Sequence, residues 1–472
     1  MIKFGTGGWR EIIGDKFTKN NIRIIATALT KMMKDENKQE KGFIVGYDRR
    51  FLSKEACIWI SEIMAGQGIK TFIVPYGAPT PLIMYAVKDL CCDYGAIVTA
   101  SHNPAIYNGI KLFTRGGKDA NEVVTAKLET YINSLISAEV KILDFEKAKK
   151  IGLIEEINPQ NKYIDSIINW INLEEIKKRN IKIVLDPMYG VSKNALLTIL
   201  LTSRCYVDVI NENHDTLFGG RIPAPSEKAL KALKNNVIDK KADIGIATDG
   251  DADRVGVIDE NGNFLHPNKV LVLIYYYLLN YKGLKGGVVR NIATTHLLDK
   301  IAKARGEKAI EVPVGFKHIT KGMEDIDAII GGESSGGLTI ASHIKGKDGI
   351  LASAVLVEMI AVTKRSLSDI YKEITSLYGD YYMVENQYEF TAHKKNEMMN
   401  TLFVEKRLPE FFVEVEKVSY LDGVKVYFKN DGWIIIRFSG TEPLLRIFCE
   451  MSTIDDATKI CNIVEKFLDL RI

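Results

Sequence analysis

Four short segments of the chain gather side chains that could do chemistry. Thr99-Ala100-Ser101-His102-Asn103-Pro104 follows an apolar run. It holds a serine hydroxyl on a tight turn, because a residue before proline avoids the right-handed helical region. With His102 beside it and Lys111 downstream, that hydroxyl could act as nucleophile in acyl or phosphoryl transfer, or the segment could be an ordinary serine-rich turn. The pair Asn108-Gly109 predicts a hairpin that returns Lys111 towards Ser101.

Asp249-Gly250-Asp251-Ala252-Asp253-Arg254 offers carboxylates at alternate positions, hard oxygen ligands for one divalent cation. An EF-hand loop shares this spacing, and Glu260 falls at its last position. Its glycine position is filled by Arg254, however, and Val255-Gly256-Val257-Ile258 reads as a strand, which argues against that motif. A solvated acidic turn and a Mg²⁺ site completed by a phosphate oxygen remain. Mg²⁺ typically takes few carboxylates plus substrate phosphate, and the pattern favours it.

Gly332-Glu333-Ser334-Ser335-Gly336 combines exposed backbone, an acceptor and hydroxyls, which suits sugar hydroxyls or a plain glycine-rich turn. Arg437-Phe438-Ser439-Gly440-Thr441-Glu442-Pro443, with Arg446 beyond, pairs guanidinium groups with hydroxyls and open backbone. That is the composition of a phosphate cradle, or of a surface turn with incidental arginines.

Each loop needs an element to hold it. Apolar runs at 43–46, 71–74 and 96–99 read as buried strands, and 22–33 and 54–68 read as helices. The same rhythm returns at 181–185, 244–247, 287–289 and 328–330, the mark of an α/β protein with mainly parallel strands. Three times an apolar strand runs into a small-polar loop: at Ser101, at Asp249 and at Glu333. Another strand lies upstream each time, ending at Asp48, Asp186 and Arg290. We read three copies of one α/β unit with the functional loop at the carboxyl end of a strand. After residues 365–380 the character changes to a small sheet and a C-terminal helix over 454–470, a fourth, α+β domain.

Composition limits the partners. The 472 residues carry 63 basic and 60 acidic side chains, a formal charge of +3, which excludes a strongly basic nucleic-acid footprint. The longest apolar run, 270–279, is too short to span a bilayer, and no signal peptide is read at the start. Six scattered cysteines have neither zinc nor disulfide spacing, so a cytoplasmic location is expected.

Taken in this order, the four loops resemble those of the α-D-phosphohexomutases, from Phe4-Gly5-Thr6-Gly7-Gly8-Trp9-Arg10 to Arg437 and beyond. The resemblance implies three similar α/β domains with mixed, mainly parallel sheets and a smaller C-terminal α+β domain around a central cleft. Their expected spans are 1–157, 158–265, 266–372 and 373–472. It implies an isomerase that moves a phosphoryl group between the 1- and 6-positions of a hexose through a phosphoserine enzyme and a bisphosphorylated sugar. That bisphosphate also serves as activator. Ser101 then matches the phosphoryl carrier, and Asp249, Asp251 and Asp253 match the Mg²⁺ ligands, with an oxygen of phospho-Ser101 as a further one. Glu333 and Ser335 match sugar-contacting positions. Arg437, Ser439, Gly440 and Thr441, with Arg446, match the grip on the non-reacting phosphate. Val314-Gly315-Phe316-Lys317 resembles a Gly-aromatic-Lys loop, which makes Lys317 a catalytic or sugar-contacting candidate. Arg10, His102, Lys111 and Arg254 match active-site neighbours.

The chain departs from the family pattern at Gly7 and Glu11, where Asp and Gly are common, and at Gly337, where a histidine is typical of glucosamine and glucose/mannose enzymes. Together with Ser334 this points towards a phosphoglucomutase. A phosphomannomutase or dual enzyme is the alternative, ahead of a phosphoglucosamine mutase, a non-catalytic sugar-phosphate binder or a phosphatase-like hydrolase. Small-molecule hexose phosphates are the expected partners, with no nucleic acid and no membrane, for a monomer or homodimer.

Overall fold

The computed structural model describes residues 2–5, 8–135, 140–439 and 444–470. It divides into two compact units, Met1–Leu284 with Ile329–Ile370, and Lys285–Ala328 with Tyr371–Ile472. Among the described residues no helix is long and apolar enough to cross a membrane.

In the first unit, a sheet runs in the order Trp9–Ile12, Tyr107–Thr114, Tyr94–Val98, Phe43–Tyr47, Thr71–Gly77, Ile154–Glu156. Phe43–Tyr47 and Tyr94–Val98 are parallel and buried throughout, so their near-continuous apolar runs show no alternation. A second sheet repeats the scheme, with Lys182–Asp186 parallel to Ile244–Thr248 and Val255–Asp259 folding back antiparallel. In both sheets a loop leaves the carboxyl end of a parallel strand and returns as an antiparallel one, which fixes where Ser101 and Asp249 fall. A further turn joins Ile330–Gly332 to its antiparallel partner Leu338–Ile340 and carries Glu333. The helix Gly349–Thr363 is buried on nearly every side, as an all-round apolar helix must be.

In the second unit, Val288–Asn291 pairs parallel with Ala309–Val312. Five antiparallel strands form the C-terminal sheet in the order Tyr382–Glu389, Leu444–Met451, Trp433–Phe438, Val424–Phe428, Val415–Ser419. The helix Ile454–Leu468 presents Ala457, Ile460, Cys461, Val464 and Leu468 to that sheet's core. The fold is thus α/β in three domains and α+β in the fourth.

One expected turn is corrected. Asn108-Gly109 is not a hairpin turn but lies inside the strand Tyr107–Thr114; the reversal is made by residues 99–106. Gly109 is small for another reason: a Cβ there would sit 2.2 Å from the Trp9 carbonyl oxygen of the neighbouring strand. The return still delivers Lys111, paired in register with Ile97.

Candidate active site

Ser101 sits just past the strand Tyr94–Val98 with φ of 51°, a left-handed conformation that costs a non-glycine residue roughly 1–2 kcal/mol. Surrounding bonds hold it there. Its N–H donates to Thr99 Oγ1 at 2.9 Å. Arg50 reaches the loop from beneath and donates to the carbonyls of Ser101 and Asn103 at 2.6 Å each, Pro104 at 2.8 Å and Tyr107 at 3.0 Å. Asp48 is ion-paired to Arg50 at 3.4 Å and accepts from Thr99 and Ser53. On the far side Arg10 donates to Asn103 Oδ1 at 2.7 Å.

The aspartate loop meets this turn directly. Ser101 Oγ donates to Asp249 Oδ2 at 2.8 Å, and His102 Nδ1 lies 3.4 Å from the same hydroxyl. Gly250 is packed so closely that a Cβ there would lie 2.8 Å from the Ser101 carbonyl oxygen. Lys111 Nζ donates to Asp251 Oδ2 at 2.5 Å and to Asp253 Oδ2 at 2.7 Å. Thr80 also donates to Asp251 Oδ2, at 2.5 Å, and Lys347 Nζ lies 2.9 Å from Asp253 Oδ2. Ser101 and the three aspartates are all at most 1% exposed.

The electrostatics call for a cation. One carboxylate oxygen from each of Asp249, Asp251 and Asp253 lies within 4.8 Å of the others. The Oδ1 atoms of Asp251 and Asp253 are buried with no hydrogen-bond partner among the described residues, which is costly unless a ligand meets them. Burial and the neighbouring Asp251 and Asp253 charges push Asp249 well above the usual carboxylate range. Burial pulls the Lys111 ammonium down, but Asp251 and Asp253 outweigh it and hold the group above its ordinary value. Burial, with Arg254 and Arg10 close by, drops His102 well below its ordinary value, so it is neutral. Three hard oxygen donors, two of them with an oxygen left without a hydrogen bond among the described residues, fit a Mg²⁺ ion.

The sugar-loop candidates join the same unit. Glu333 is 8% exposed, and its loop closes through Gly336 N donating to Glu333 O at 3.1 Å. The loop is tied to the segment after the aspartates, where Gly337 bridges Arg254 and Val255 N donates to Gly336 O at 3.3 Å. Ser335 lies in this turn. At Gly337 a Cβ would fall 2.3 Å from Lys347 Cδ, so the lysine stem crosses the place a side chain would fill.

Lys317 and the arginines belong to the other unit. Lys317 is in the first turn of Phe316–Ile326, after Gly315 with φ of 131°. Arg437 lies within the strand Trp433–Phe438, directly opposite Arg446 on the next strand. Like charges so placed repel, which favours an anion between or beside them. Asp422 accepts from Arg437 Nε at 2.9 Å and from Val314 N at 2.8 Å, linking the arginine to the Gly-aromatic-Lys turn. Ser439 follows Arg437, while Gly440 and Thr441 lie outside the described residues.

Sequence reasoning thus finds Ser101, His102, Arg10, Lys111, Asp249, Asp251, Asp253 and Arg254 in one place, and misses Asp48, Arg50, Thr80, Lys347 and Asp422. The strand-end position of Asp48-Arg49-Arg50 was a usable signal. Nothing local marks Thr80 or Lys347.

Comparisons with known proteins place the whole chain in one family. Family models described as phosphoglucomutase/phosphomannomutase domains I, II, III and the C-terminal domain match residues 1–139, 161–262, 266–378 and 390–466. The Thermococcus kodakarensis protein named phosphoglucomutase/phosphomannomutase is 32% identical over 468 residues, covering 99% of this chain and 98% of its own. A phosphoglucosamine/phosphogalactosamine mutase of Sulfurisphaera tokodaii is 28% identical over 475 residues, with 99% of each covered. A solved structure of a Thermus thermophilus protein, described as a phosphomannomutase by similarity, matches with a TM-score of 0.86 at 28% identity over 99% of both chains.

Proposed function

For a chain that belongs to the phosphoglucomutase/phosphomannomutase family, and so is an isomerase of the phosphohexomutase class, we propose that Ser101 is the phosphoryl carrier and glucose phosphate the preferred substrate. The observation that carries this reading is the Ser101 hydroxyl on Asp249 at 2.8 Å, beside two buried carboxylate oxygens without a partner among the described residues.

In the forward step the Oγ–P bond of phospho-Ser101 breaks as a sugar hydroxyl oxygen bonds to phosphorus, and the hydroxyl proton passes to a base. The bisphosphorylated sugar then returns its other phosphoryl group to Ser101 Oγ, reversing the same bond changes at the opposite end. Asp249, Asp251 and Asp253 would hold Mg²⁺, which supplies charge stabilisation to the transferring phosphoryl oxygens. Lys111, kept charged by its two aspartates, stabilises phosphoryl charge and is no base in this state. His102 is neutral and 3.4 Å from Oγ; burial and the arginines beside it oppose its taking a proton, so its part is to hydrogen-bond the Ser101 hydroxyl and not to act as base. Burial of Ser101 keeps water from the phosphoserine, which would otherwise be wasted by hydrolysis.

Glu333 and Ser335 read the sugar hydroxyls. Arg437, Ser439, Gly440, Thr441 and Arg446 grip the phosphate not being transferred, and Lys317 contacts the sugar. Glucose is favoured because Gly337 lacks the histidine of the other subfamilies and Lys347 crosses its place. Six cysteines free of disulfides fit a reducing, cytoplasmic compartment. The test is a panel of the 1-phosphates of glucose, mannose, glucosamine and N-acetylglucosamine, each assayed for its 6-phosphate with Mg²⁺. Glucose 1-phosphate should give the highest kcat/KM. A higher value for an amino sugar would overturn the glucose assignment, and phosphate release without isomer would overturn the mutase reading.

A further inference from the structure

A second buried cluster lies behind the aspartate loop. The helix Gly349–Thr363 is seated on that loop: Gly349 N donates to Ala252 O at 3.2 Å, and a Cβ on Gly349 would lie 2.5 Å from the Arg254 carbonyl oxygen. Asp348, fully buried, caps this helix through Oδ1, which accepts from Ile350 N and Leu351 N at 2.9 Å each. Capping alone would leave Oδ2 bare. Instead Tyr163 OH donates to both oxygens, at 2.9 and 2.8 Å, and His343 Nε2 lies 2.8 Å from Oδ2.

These partners come from separate parts of the chain. Tyr163 is on the helix Gln160–Ile168, within the second matched domain; Tyr85, on Thr80–Asp89 of the first, stacks on His343 at 6.4 Å. Lys88 of the same helix bonds the His343 carbonyl oxygen. Residues of three matched domains therefore meet at the His343–Asp348 pair, and the residue before Asp348 is Lys347, whose Nζ lies 2.9 Å from Asp253. Four groups on Asp348, namely Ile350 N, Leu351 N, His343 and the Tyr163 hydroxyl shared between its two oxygens, fix the backbone from which Lys347 springs.

We propose that Tyr163, His343 and Asp348 are positioning residues for phosphoryl transfer, acting by holding Lys347 against Asp253 and the first turn of Gly349–Thr363 against the aspartate loop. This rests on the function proposed above. The experiment uses the full chain with Tyr163→Phe, His343→Gln and Lys347→Met, singly and with Lys347→Met combined with each of the other two. Readouts are kcat and KM for glucose 1-phosphate, Mn²⁺ affinity by calorimetry, and thermal melting. Tyr163→Phe should lower kcat roughly tenfold with KM changed less than about twofold, and should alter Mn²⁺ affinity by at least about threefold. His343→Gln, which keeps a donor near Asp348, should retain most of the wild-type kcat and Mn²⁺ affinity. In the Lys347→Met background Tyr163→Phe should add less than about a twofold further change in either quantity. Equal losses with and without Lys347, or an unchanged kcat and Mn²⁺ affinity in Tyr163→Phe, would overturn the proposal. If Tyr163→Phe fails to melt cooperatively, His343→Ala takes its place in the same cycle, with the same supporting and overturning results. Should wild type isomerise no hexose phosphate, the functional reading fails while the Mn²⁺ cycle still decides this one.

Discussion

The serine–aspartate site and the C-terminal arginine site are built to opposite standards. At the first, Ser101 and three aspartates are at most 1% exposed, and Arg50 alone spends four hydrogen bonds on one loop. At the second, Arg437 is 19% exposed and Asp422, its carboxylate partner, 23%. The roles proposed for the two sites account for the difference. Moving a phosphoryl group needs fixed charges in a dry place, where electrostatics are strong and water cannot intervene. Gripping a phosphate that alternates between two ends of a sugar needs guanidinium groups and open backbone, which read phosphate and little else.

That contrast is sharpened first at Ser101. Ser101→Ala removes the proposed phosphoryl carrier, and isomerisation should fall by roughly 10³-fold or more, with no phosphoenzyme formed. Asp251→Asn keeps size and removes charge. The rate should drop by roughly 100-fold and Mn²⁺ affinity should weaken, both measured on the same preparation, because the metal's charge is worth several kcal/mol. A rate insensitive to chelator would break the account of this site.

The arginine site should respond differently. Arg437→Ala should weaken glucose 1-phosphate and glucose 6-phosphate alike, by about 1.5–3 kcal/mol each, and leave Mn²⁺ affinity unchanged. Steady-state KM for both directions, with calorimetry for the metal, checks this. Spared KM values for both sugars would remove the distinction drawn here.

The smallest effect is expected beneath the C-terminal sheet. Burial, with Arg290 sharing the Glu311 oxygen, pulls the Lys425 ammonium down to about 7. Between pH 7 and its unfolded value near 10.5, the unfolded chain holds a proton that the folded chain has released. Stability should therefore rise with pH across that window, by up to about 1.4 kcal/mol per pH unit. Lys425→Met should flatten the slope, as read from denaturant melts at several pH values.

What could be read from sequence was local. An apolar run ending in Ser101-His102-Asn103-Pro104 states both a strand and its loop, and alternate aspartates state a ligand set. What could not be read was long-range. Asn108-Gly109 carries a hairpin signature, yet Gly109 is there because Trp9 O occupies its Cβ position. Arg50 looks like any strand-end arginine until residues 101–107 fold over it. Lys347 gains its meaning from Asp253, nearly a hundred residues away in the chain, and no periodicity records such a meeting. Asp422 likewise gains its meaning only once Val314 N and Arg437 Nε converge on it.

The central claim is that Ser101 carries the phosphoryl group. Incubation of the full chain with glucose 1,6-bisphosphate, followed by intact mass and peptide mapping, tests it most directly. The expected result is a single added phosphoryl group, on the peptide containing Ser101 and on that side chain, and its loss when glucose 6-phosphate is added. Label on another residue, or isomerisation at full rate with no label on Ser101, would contradict it.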